Sequence, residues 1–128
     1  MPLDKAQALN AFWNSFGVKA YEENTVPASV VSASDGMYIA YEVTLDSFPN
    51  TSMLAASLYE VNNRKWSGVD AKAAEISAGI GYGGKIQPCD GGALWIKRGS
   101  PFSQHMAGEN DTTRRIYLNI EVDFLTAD

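Results

Sequence analysis

The chain has 128 residues, 45% of them hydrophobic, 20% charged and 11% aromatic, the profile of one ordinary globular domain able to bury its own core. A single cysteine, Cys89, and a single histidine, His105, exclude an intrachain disulfide and a histidine-cluster metal site, so no metal or other cofactor is expected. The net charge of −5 argues against generic affinity for nucleic acid or anionic membranes.

Met1 to Gln7 lacks the apolar core of a secretory signal, and no window reaches the ~18 unbroken apolar residues of a membrane span, so a cytoplasmic product is expected. The first element reads as a helix from about Asp4 to Phe16. Asp4 can cap it, Gln7 can complete a capping box, and Leu9, Phe12, Trp13 and Phe16 recur at helical spacing before Gly17 stops it. Val18 to Asp35 reads as an extended connector: it offers a short strand at Val18 to Glu22, then Pro27, which denies a central strand, and a Ser-rich run.

Two strands follow. In Tyr38 to Leu45, Ile39, Tyr41, Val43 and Leu45 alternate with Ala40, Glu42 and Thr44, so one face is buried. Met53 to Val61 is apolar at nearly every position, which suits a central strand covered on both faces. A second helix is expected from Ser67, as N-cap, to Ile80, with Val69, Ala73, Ile76 and Ile80 on one face. The glycines from Gly79 to Gly84 end it. Lys85 to Cys89 and Ala93 to Arg98 then form a hairpin about Asp90-Gly91-Gly92, and Gly99 to Asp111 reads as a long loop. Ile116 to Phe124 is a strand with every even position apolar and Asn119, Glu121 and Asp123 opposite. The expected class is α+β over residues 1–128 as a single domain: a mainly antiparallel β-sheet packed on one face by two α-helices.

Catalytic constellations are weak. Gly79-Ile80-Gly81-Tyr82-Gly83-Gly84-Lys85 matches the opening of a P-loop. However, Ile86 stands where a Mg²⁺-binding hydroxyl belongs, and the helix-to-strand order is the reverse of the one that aims a helix dipole at phosphate. A small nucleotide-binding module is accordingly the least favoured reading, and a helix-terminating turn the preferred one. Ser100, Ser103, His105 and Asp111 share one irregular segment, which gives a triad no rigid support. Glu121 and Asp123 lie about 7 Å apart by strand rise, near glycosidase spacing, but fit the solvated face of an amphipathic strand. No enzyme is expected.

What stands out is a set of aromatic, basic and sticky groups: Trp95, Lys97 and Arg98 on the hairpin, Phe102, Gln104, His105 and Met106 beyond it, and Arg114 and Arg115 before the last strand. Arginine and aromatic residues are enriched at protein interfaces. They are the interface candidates.

The order of elements, with its Val26-Pro27 step, resembles the tail-terminator proteins of long-tailed bacteriophages. The tract Arg98-Gly99-Ser100-Pro101-Phe102-Ser103-Gln104 and the ending RRIYLNIEVDFLTAD are also similar to small tail or minor capsid proteins of phages of Gram-positive hosts. The resemblance implies a virion structural protein at the head-tail junction. Such a protein forms a homohexameric ring on the tail-tube protein, stops tail polymerisation, presents its other face to a head-completion or neck protein, and lets DNA pass through its lumen without sequence recognition. Another neck or minor capsid protein, such as a connector, is the alternative. Within such a ring an acidic wall would keep DNA from adhering, and Glu121 and Asp123, or Glu22 and Glu23, are the lumen candidates.

Overall fold

A computed structural model describes residues 4–23, 25–31, 36–42, 52–61, 64–106 and 112–126. Helix α1 (Lys5–Asn14) opens on the expected capping box: the Asp4 carboxylate accepts from the Gln7 N–H at 2.7 Å, and Gln7 Oε1 accepts from the Asp4 N–H at 3.0 Å. Its face of Leu9, Phe12 and Trp13 is fully buried, worth about 1.5–3 kcal/mol per large side chain. After it come β1 (Lys19–Glu22), the short helix α2 (Ala28–Val31), β2 (Gly36–Tyr41) and β3 (Ser52–Val61). Helix α3 (Ser67–Ile80), β4 (Lys85–Cys89), β5 (Gly92–Met106) and β6 (Arg114–Thr126) complete the described elements.

The six strands form one sheet in the order β1-β2-β3-β6-β5-β4. β3 is central, as its apolar run predicts, and pairs antiparallel with β6 through Leu54↔Ile120 and Leu58↔Ile116. The even positions of β6 from Ile116 to Val122 are buried, and Val69, Ala73, Ile76 and Ile80 of α3 and the apolar stripe of α1 join them in one cluster. Both long helices therefore cover one face of the sheet. The opposite face is open, and it carries the odd positions of β6.

The structure corrects several expectations. The sheet is mixed, because β1 and β2 run parallel, and a third helix, α2, follows Pro27 inside the stretch read as a connector. The N-cap of α3 is Trp66, without a side-chain cap, and Ser67 is already helical; the carboxylate of Glu60 instead lies against Gly68 in the first turn, where a negative group favours the helix dipole. The expected second strand ends, as described, at Tyr41; Val43 and Leu45 lie outside the described residues.

The largest correction concerns the segment read as a loop from Gly99 to Asp111. Strand β5 runs on to Met106, and residues 107–111 lie outside the described set. Arg98 pairs with Ile120, but Ser103 pairs with Leu118, so a bulge takes up the intervening residues. A bulge of this kind hides a strand from any period-two pattern. It is tied down where Asn119 Nδ2 donates to the Pro101 carbonyl at 3.0 Å. Gly99 permits the close approach: a Cβ there would stand 2.9 Å from the Asn119 Cβ and carbonyl oxygen.

Candidate assembly surface

The sheet's open face gathers most of the sequence-selected residues. Trp95 pairs with Asp123 and Lys97 with Glu121, and the four make one cluster. Lys97 Nζ lies 2.8 Å from Asp123 Oδ2, 3.9 Å from Glu121 Oε2 and 4.3 Å from the Trp95 ring centre. These groups are partly exposed, so the pairing is worth little in stability; what it does is set the local charge. The two carboxylates share one ammonium.

At the other end of the same face, Arg115 Nε donates to Ser57 Oγ at 3.0 Å. Its guanidinium lies 5.7 Å from the Tyr59 ring and 5.8 Å from that of Tyr117, and Tyr38 stacks on Tyr59 at 4.9 Å. Gln104 and Met106 sit beside this end, paired with Tyr117 and Arg115. Met53, Ile86, Met106 and Leu125 are exposed on this side.

The remaining candidates face the helices. Arg98 Nη1 donates to Ser77 Oγ of α3 at 2.9 Å. His105 stacks on Trp66 with ring centres 3.7 Å apart, and its Nε2 lies 2.7 Å from Asp70 Oδ1. Arg114 also stands over the Trp66 ring at 5.4 Å and donates from Nε to the Arg64 carbonyl at 2.8 Å. Phe102 is half-buried against the core. These four tie the far half of β5 and the start of β6 to the helix side; Phe102 is half-buried there, while His105 stays exposed beside Trp66.

The lumen candidates are divided in the same way. Glu121 and Asp123 lie on the open face, whereas Glu22 ends the edge strand β1 opposite Tyr41, on the helix side; Glu23 follows, its N–H donating to the Tyr41 carbonyl at 2.9 Å. Glu22 and the Glu121–Asp123 pair therefore lie on different faces of the sheet. Glu22 borders a groove of about 410 Å³ with Ala6, Gln7, Asn10, Ala11 and Tyr41. Inside it Asn10 Nδ2 donates to the Tyr41 hydroxyl at 2.6 Å. Burial pushes that phenol's pKa up; the Asn10 hydrogen bond opposes the shift and the Glu22 charge adds to it.

Sequence reasoning missed the outward apolar groups. Met53 was read within a strand covered on both faces, and Tyr82, which is fully exposed, was read only as part of a glycine-rich turn. The signal for Tyr82 was present: a large aromatic between glycines has no neighbour that could cover it. Among the described residues no group of three or more His, Cys, Asp or Glu side chains is placed to hold a metal ion, and no helix is long and apolar enough to cross a membrane. Compared with protein-family models, curated proteins and solved structures, the chain has no match.

Proposed function

We propose that this protein is a virion structural subunit of the tail-terminator kind, closing the tail tube of a long-tailed bacteriophage as a ring, halting tail polymerisation and joining tail to head. The observation that carries the reading is the open sheet face. It is a broad, structured surface with exposed Met53, Ile86, Met106 and Leu125 beside Trp95 and the Arg115 tyrosine cluster. Exposed apolar and aromatic side chains with arginine are characteristic of protein contact surfaces. The order of elements and the closing amphipathic strand support the same reading through the family resemblance.

Two measurements test it. Particle mass across a concentration series should resolve a closed ring, of six copies in this reading, at high concentration. Phage lacking the protein should build overlong tail tubes. Tails of normal length that fail to attach to heads would instead identify another neck or head-completion protein.

A further inference from the structure

The turn between α3 and β4 presents one side chain. Tyr82 is fully exposed, yet the turn that carries it is held at several points: the Gly81 N–H donates to the Ser77 carbonyl at 3.0 Å, the Gly84 N–H to the Gly81 carbonyl at 3.4 Å, and Trp95 Nε1 to the Gly83 carbonyl at 2.9 Å. A tyrosine on a restrained turn loses little freedom on binding, and tyrosine is among the residues that dominate interface energies. It is a knob without a socket in its own chain.

A socket of the right chemistry exists on the opposite edge of the sheet. The groove between α1 and the β1–β2 edge offers small apolar walls in Ala6 and Ala11 and an exposed carboxylate in Glu22. A phenol needs that combination, an apolar bed for the ring and an acceptor for the hydroxyl proton. Charge agrees as well. Lys85 and Arg98 flank the Tyr82 turn, Arg98 through Ser77 on α3, while the Glu22 carboxylate lines the groove.

Both sheet edges are partly closed to strand addition. Asn14 occupies the outward backbone groups of Ala20 on β1, and Pro88 on β4 has no N–H to offer a neighbour. Side chains are then the readier route of contact between copies.

The geometry points to a head-to-tail contact between copies of this chain, with Tyr82 of one copy seated in the α1–β1 groove of the next and its hydroxyl donating to Glu22. Knob and groove are different surfaces, so the contact is heterologous, the kind that closes into a ring when the rotation between copies permits. The inference rests on the ring reading and assigns its subunit contact; Glu22 becomes an interface acceptor in place of a lumen wall.

The test uses the full chain. Tyr82→Ala should leave the thermal unfolding midpoint unchanged and raise the concentration needed for ring formation at least about 30-fold, the loss expected of a hot-spot residue. Tyr82→Phe and Glu22→Gln should each give a smaller rise. Mixing Tyr82→Cys chains with Ala11→Cys chains under mild oxidation should yield a disulfide-linked heterodimer that neither variant forms alone; Cys89 is buried and does not interfere. If the wild type assembles and Tyr82→Ala assembles at the same concentration, this contact is overturned and the ring reading stands. A wild type that stays monomeric throughout, with no heterodimer in the mixture, overturns both.

Discussion

Asn14 holds both backbone groups of Ala20: its Oδ1 accepts from the Ala20 N–H at 2.9 Å and its Nδ2 donates to the Ala20 carbonyl at 3.3 Å. The last residue of α1 thereby acts as a false strand along the outer edge of β1. On the same edge the Glu22 carbonyl accepts from the N–H and hydroxyl of Thr25 at 3.1 and 2.7 Å. Asn14→Ala leaves a nearly buried N–H without its partner, which costs about 1–2 kcal/mol. It also bares a strand edge. The expected outcome is a lower urea midpoint together with concentration-dependent light scattering; a lower midpoint without scattering would mean that Thr25 and α1 shield the edge by themselves.

Gly84 and Gly83 are neighbours with opposite tolerances. Gly84 has φ +87°, and a Cβ there would meet Trp95 Nε1 at 2.7 Å and the Ile96 carbonyl at 2.8 Å, whereas a Cβ on Gly83 meets nothing within 4 Å. Gly84→Ala should destabilise by about 2–3 kcal/mol from backbone strain and overpacking, and Gly83→Ala should stay within about 0.5 kcal/mol. Thermal melts of the two variants make the comparison.

Trp66 contacts both His105 and Arg114 and so joins the start of α3 to both strands of the far hairpin arm. Trp66→Ala should speed amide exchange at residues 103–106 by about threefold to tenfold, the worth of one ring stack, while the central β3–β6 amides stay protected. Equal acceleration in both regions would show that Trp66 supports the whole core.

Tyr41 and Cys89 each link stability to alkaline pH. Burial raises the pKa of each in the folded chain. For Cys89 the nearby Lys5 opposes the shift and Asp90 adds to it. The unfolded chain therefore loses these protons first. The stability they contribute is complete below the ordinary thiol and phenol values, about 8.5 and 10, and falls as pH rises through the folded ones. The urea midpoint should be level near neutrality and decline above about pH 9, and Tyr41→Phe should flatten the upper part of that decline.

Elements governed by side-chain period and capping were legible from sequence. Asp4 and Gln7 announced α1, the even positions of β6 announced its buried face, and the spacing of Val69 to Ile80 located α3 to its last residue. What escaped depended on partners distant in the chain. The parallel pairing of β1 with β2 leaves no local trace, because such a connection needs no turn signal. The far half of β5 was hidden because its bulge at residues 99–102 breaks the alternation that marks a strand, and only the Asn119 and Leu118 side of the pairing shows where it resumes. Trp95, Lys97 and Arg115 were found by residue type, but their separation from Arg98, His105 and Arg114 across the sheet required the register, since a one-residue step reverses the face.

The strand order has a kinetic consequence. β2–β3 and β4–β5–β6 are each assembled from neighbours in sequence, but the ladder that unites them pairs Leu58 with Ile116 and Leu54 with Ile120, closing a loop that contains α3, β4 and β5. Closure of so long a segment must be met by chain entropy before the central contacts return anything. The two halves should therefore form early and dock late, and their docking should govern how fast a newly made chain reaches its native fold.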